Sequence, residues 1–136
     1  MTLFAFYGTF MRDQPGHGNL AGILFIAQAR TAPRYRLYHV DGRWPALVPS
    51  EDGVEIACEL YEASEELLAE LAAIEPSGWT RAPVELVDGR VVEAFVADPA
   101  LTDRGFDISA HGSWAGYVRS VAYQTTSEPC QKAVPR

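Results

Sequence analysis

A chain of 136 residues with 48% hydrophobic and 21% charged side chains has the composition of one ordinary globular domain; a disordered chain would be depleted in Leu, Ile, Val and Phe. The formal net charge of −7, from 18 acidic against 11 basic residues, disfavours nucleic acid, which needs a concentrated basic face. The arginines are spread along the chain rather than clustered, which leaves room for a local cationic pocket that takes a small carboxylate.

The start, MTLFAFYG, lacks a basic leader, and no stretch approaches the roughly 20 apolar residues of a membrane span. A cytoplasmic address is expected. Residues 2–7 are an apolar and aromatic run ending at Gly8, which predicts a buried first strand and a turn. Residues 8–18 are rich in Gly and polar side chains and predict a long loop, a kind that is often functional in compact domains. Strands are predicted over 22–29 and 35–40, with Asp41-Gly42 as the turn after the second. Two prolines punctuate 44–49, which predicts a loop or an edge segment.

Alternation over 54–61, with Val54, Ile56, Cys58 and Leu60 set against Glu55, Ala57 and Glu59, predicts a strand with one buried face. Ser64 opens a helix whose first turn carries Glu65 and Glu66, where the dipole favours acids. Leu67, Leu68, Leu71 and Ile74 give it one apolar stripe, and Pro76-Ser77-Gly78 ends it. Residues 84–87, the Asp88-Gly89 turn and 90–96 are the strongest hairpin signal in the chain. Residues 113–123 predict a terminal helix. The sum is one α+β domain over 1–123 with a polar tail over 124–136. A small, mainly antiparallel, barrel-like sheet with one or two packed helices is expected, because turns rather than crossover helices join most strands.

Two residue groups could carry chemistry. Gly8, directly after a buried strand, lets the backbone turn sharply and aims successive amides at one anion; the other reading is a plain tight turn. Glu75 is a carboxylate at the C-terminal end of a helix, where the dipole opposes it. Desolvation and the dipole would raise its pKa toward that of a general base, whereas a solvated helix-end glutamate would do nothing. His17, in the long loop, is a base, a substrate contact or an ordinary exposed loop histidine. His39 and His111 have no second ligand at metal spacing, and no metal or cofactor is expected. Thr9, Ser109 and Ser113 lack any arrangement that would single out a nucleophile. Cys58 reads as a small core residue and Cys130 as a bystander in the tail, not bonded to each other.

Tyr7-Gly8-Thr9-Phe10-Met11 resembles the Tyr-Gly-Ser-Leu loop of the γ-glutamylcyclotransferase family. Leu71 to Glu75, followed by Trp79-Thr80-Arg81 and Val84, resembles that family's second signature, a helix ending in the catalytic Glu with an aromatic-x-Arg beyond it. Over most of the chain there is a closer similarity to the allophanate hydrolase C-terminal domain. It is carried by Thr31 to Tyr38, the Val84 to Gly89 hairpin, Asp107-Ile108-Ser109, Gly112-Ser113-Trp114 and Tyr117. That domain usually begins with a Gly-Ala-His-Leu loop and lacks a glutamate corresponding to Glu75. Here Phe10 stands where the loop histidine would lie, and Glu75 is present.

The resemblance implies a cyclotransferase-type site on an allophanate-hydrolase-like body. Glu75 would be catalytic, and Tyr7, Gly8, Thr9, Phe10, Met11, Trp79, Arg81 and Tyr117 would bind a small γ-glutamyl or carboxylate-bearing molecule. The chain would act as a monomer or weak homodimer. The competing expectations are an accessory or ligand-binding module with an amidase partner in urea or amide metabolism, and a decarboxylase or lyase of an N-carboxylated amide.

Overall fold

The computed structural model of the chain describes residues 1–12, 14–20 and 23–127. Eight strands and two α-helices follow in order: β1 (Thr2–Phe6), β2 (Leu24–Arg30), β3 (Tyr35–Val40), β4 (Trp44–Pro49), β5 (Ala57–Ala63), α1 (Glu65–Ile74), β6 (Trp79–Glu85), β7 (Val91–Ala97), β8 (Gly105–Asp107) and α2 (Trp114–Ser127). The strands form two sheets, one of five in the order β2-β5-β1-β7-β6 and one of three in the order β4-β3-β8. The α+β class and the mainly antiparallel pairing are as expected. The sheets do not close into a barrel, and β1 pairs parallel with β7 at Phe4 and Glu93.

The turn chemistry follows from sequence. Asp41 and Gly42 both take positive φ, and Arg43 N–H donates to Val40 O at 3.0 Å, so this pair closes the β3–β4 hairpin. Gly89, at φ 92°, closes β6 onto β7 with its N–H on Leu86 O. Residues 44–49 are a full strand, paired with β3 from Trp44 to Pro49. Pro45 and Pro49 are tolerated because β4 is the edge of its sheet, where a missing N–H leaves no ladder bond unmade.

Strand β5 corrects the expectation of one buried face. It lies between β2 and β1, and Cys58, Glu59, Leu60 and Tyr61 are all buried. The loop after β1 crosses the second face, so Glu59 and Tyr61 meet Arg12 and His17 where solvent was expected. Cys58 is bonded to no other described cysteine, and burial pushes its thiol up to about 12. Cys130 lies outside the described residues.

Ser64 caps α1 as predicted, its Oγ accepting from Leu67 N–H at 3.1 Å. Leu68 and Leu71 face the core, each contributing about 1.5–3 kcal/mol by burial, whereas Ile74 at the end of the stripe stays exposed. Helix α2 starts on Ser113, whose Oγ accepts from Gly116 N–H at 2.9 Å, and it runs through Ser127, past the point where polar composition predicted its end. Among the described residues no helix is long and apolar enough to cross a membrane.

Candidate functional site

Strand β1 ends beneath a cleft. Beyond Phe6 the chain turns, Met11 N–H donating to Gly8 O at 3.1 Å. Thr9 O accepts from Gly16 N–H at 2.8 Å, and Phe10 O lies 3.0 Å from His17 Nδ1. The loop carbonyls are thus engaged, while the amides of Gly8, Thr9 and Phe10 have no acceptor among the described residues. These are the groups an anion would take.

Gly8 is needed here for a reason the sequence hid. Among the described glycines positive φ occurs at Gly42, Gly78, Gly89 and Gly112, but not at Gly8. A Cβ at Gly8 would instead lie 2.3 Å from Pro45 Cγ. Pro45 cannot retreat easily, because its carbonyl accepts from Trp79 Nε1 at 2.9 Å. Trp79, the first residue of β6 and 7% exposed, therefore buttresses the proline that lies over the loop.

Glu75 forms the facing wall. It is the C-cap of α1, with φ −70° and ψ 142°, and its N–H donates back to Leu71 O and Ala72 O. Its side chain lines the same cleft as Tyr7, Gly8, Thr9 and Phe10, together with Trp44, Pro45, Pro76, Trp79 and Phe95. Burial pushes the Glu75 carboxyl up from 4.5 to about 7. The cavity measures about 30 Å³, room for about two water-sized groups.

Tyr7 closes the floor. Its hydroxyl donates to Phe95 O at 2.6 Å and accepts from Leu47 N–H at 3.2 Å, tying β1, β7 and β4 together. Burial raises its pKa far above the ordinary value; the Leu47 amide opposes this, and the negative charge of Glu75 adds to it. It is a neutral donor.

Three predicted residues lie elsewhere. Met11 packs on the opposite side of the loop, toward Cys58 and Glu59. Arg81 is taken up by Glu65, at 2.8 Å, and by Glu93, and its charge, with the Thr2 hydroxyl, pushes the exposed Glu65 carboxyl down to about 2. Tyr117 sits on α2 with its hydroxyl 2.6 Å from His39 Nδ1, in an aromatic group with Phe106, Trp114 and His111. Ser109 Oγ accepts from Leu37 N–H at 2.8 Å and is structural. Among the described residues no arginine lines the cleft, so they do not form there the cationic pocket that the scattered arginines allowed. Among the described residues no group of three or more His, Cys, Asp or Glu is placed to hold a metal ion. Trp44, Pro45, Pro76 and Phe95 were missed by sequence reasoning: nothing local marks that β4 of the other sheet packs over the loop, or that β7 and the end of α1 meet there.

The sheets of five and three strands with their packed helices are those of the γ-glutamylcyclotransferase-like, or AIG2-like, fold. Within it, the family model of the allophanate hydrolase C-terminal domain matches residues 2–119, and the chain belongs to that family. The crystal structure of c4763, a uropathogenic E. coli-specific protein, superposes with TM-score 0.81 at 31% identity, covering 87% of this chain and 95% of that one. The Kluyveromyces lactis urea amidolyase structure superposes at 0.82 with 22% identity, covering 88% of this chain but 8% of that much longer one. An AIG2-like protein from Mus musculus superposes at 0.60 with 27% identity, covering 74% of this chain and 78% of that one. No curated protein matches the chain.

Proposed function

We propose that the chain is a cyclotransferase that releases 5-oxoproline and an amine from a small γ-glutamyl compound. One observation carries the reading: a carboxylate pushed up to about 7 shares a cleft with amides that have no acceptor among the described residues. A group with that pKa can accept a proton near neutral pH and return it. The amides of Gly8, Thr9 and Phe10 would hold the α-carboxylate of the γ-glutamyl group. Glu75 would take a proton from the α-amine as its nitrogen attacks the γ-carbonyl carbon. The new C–N bond closes the five-membered ring, the old amide C–N bond breaks, and the proton passes to the departing amine. Ring closure within one bound molecule has a large proximity advantage, so the site mainly holds a conformer and moves a proton. The walls must part to admit the glutamyl group, given a cavity of about 30 Å³.

Incubation with a panel of γ-glutamyl amino acids and γ-glutamyl amines, with 5-oxoproline as the readout, tests this. Release from at least one class is expected, and no release from any would end the reading. Membership of the allophanate hydrolase C-terminal domain family favours a second one, a ligand-binding module that acts beside an amidase. In that case a carboxylate compound binds the cleft, and no γ-glutamyl compound is turned over.

A further inference from the structure

We infer that Glu59 is a positioning residue for this site, clamping Arg12 so that the amides of Gly8, Thr9 and Phe10 are held in place for an anion. Its effect on turnover rests on the cyclotransferase reading; its effect on the loop does not.

Glu59 lies on β5 in register with Phe6, the last residue of β1, and so stands beside the point where the loop leaves the sheet. Its residue is 8% exposed. A carboxylate so buried is tolerated only with partners, and Glu59 has three donors. Arg12 N–H donates to Oε1 at 2.9 Å, Arg12 Nε donates to Oε2 at 3.1 Å, and the Tyr61 hydroxyl donates to Oε1 at 3.0 Å. The Arg12 guanidinium also lies over the Phe25 ring, 4.0 Å from its centroid. One loop residue is therefore gripped by backbone and side chain together, and that residue directly follows the Gly8–Met11 turn.

The turn is thereby pinned at both ends, Gly8 beneath Pro45 and Arg12 on Glu59. Between them Gly16 and His17 engage the carbonyls of Thr9 and Phe10. A buried ion pair is a weak source of fold stability, since an apolar replacement of the same volume is often neutral or better. A carboxylate that also binds a loop amide does something an apolar residue could not: it fixes the position of the backbone it touches. Displacement of a binding group by about 1 Å can cost up to about 100-fold in rate, so a clamp on Arg12, with only Met11 between it and the cradle, is well placed to matter.

The test compares wild type, Glu59→Ala and Glu59→Gln by ¹H–¹⁵N spectra, thermal unfolding and steady-state kinetics, with 5-oxoproline as the carboxylate probe in titrations. In Glu59→Ala the amide signals of Gly8, Thr9 and Phe10 should shift and exchange faster with water, while those of Leu37 and Val40 in the other sheet stay put. Binding of 5-oxoproline should weaken, and kcat/KM should fall roughly 10- to 100-fold, mainly through KM. Its pH midpoint, set by Glu75, should not move. Glu59→Gln, which can still accept from the Arg12 amide, should recover most of the KM. If Glu59→Ala does not fold, Glu59→Met, which keeps the volume but cannot accept from the Arg12 amide, decides: shifted loop amides with a raised KM support the clamp, and neither change overturns it. Unfolding at lower temperature with unmoved loop amides and unchanged probe binding would make Glu59 merely structural and overturn it too. If wild type releases no 5-oxoproline, the catalytic reading fails while the spectra still decide the clamp.

Discussion

Glu75 is a carboxyl group whose place in the fold works against its charge. Its folded pKa of about 7 lies above the ordinary 4.5, so the folded state holds the proton more tightly than the unfolded one. The stability this contributes is fully present below about pH 4.5 and is lost as pH rises through about 7. Glu75→Gln has no such titration. It should match wild type near pH 4 and exceed it at pH 8 by on the order of 2–3 kcal/mol, read by thermal unfolding at the two pH values. Activity should run the other way. A general base works when deprotonated, so wild-type kcat/KM should climb through pH 7 and level off, and the Gln variant should lose roughly 100-fold or more in turnover at pH 8. Equal turnover in the two proteins would end the catalytic role of Glu75, and a pH-independent stability difference would mean that its carboxyl is not desolvated.

At the scale of elements, the site is a junction of β1, β4, α1 and β6, and only some of these were legible one at a time. Gly8→Ala probes the junction: its methyl would meet the Pro45 ring at 2.3 Å, and Pro45 is held by Trp79. A loss of roughly 1–3 kcal/mol is expected from overpacking, with a fall in 5-oxoproline binding because the loop must move. Pro45→Ala in the same background should relieve part of both losses by removing the ring's Cγ and Cδ. A Gly8→Ala protein with normal stability and binding would mean that the loop yields freely. The sequence made Gly8 conspicuous, but for a turn; its real constraint is a close approach from another sheet, which local sequence cannot encode. Helix α1 was legible from cap to stop because Ser64, the leucine spacing and Pro76 are local signals. Glu59 was misplaced on a solvent face because alternation cannot reveal that a distant loop will cover it.

Across the whole molecule, six strands and the turns at Asp41-Gly42 and Asp88-Gly89 were legible from local patterns, whereas the short strand β8 and the strand order were not. Strand β1 lies in the middle of the five-stranded sheet, antiparallel to β5 and parallel to β7. The parallel pair joins residues about ninety positions apart, a closure with no local signature. It has a mechanical consequence for the site. The loop that offers amides to an anion starts from a central strand whose Phe4, Ala5 and Phe6 are nearly inaccessible, and the Tyr7 hydroxyl stitches that strand's end to β7 and β4. Local opening of a central, buried strand approaches the cost of global unfolding, while edge strands open more readily. Native-state hydrogen exchange should therefore find the slowest amides on β1 and its partner β5, and faster ones on the edge strands β2 and β8. Tyr7→Phe should keep that ranking but speed exchange in β4 near Leu47, because the Leu47 N–H loses its acceptor. It should also lower stability by about 1–3 kcal/mol through the partners left unsatisfied. Exchange on β1 as fast as on β2 would contradict the arrangement in which the most stable strand of the fold carries the loop of the site.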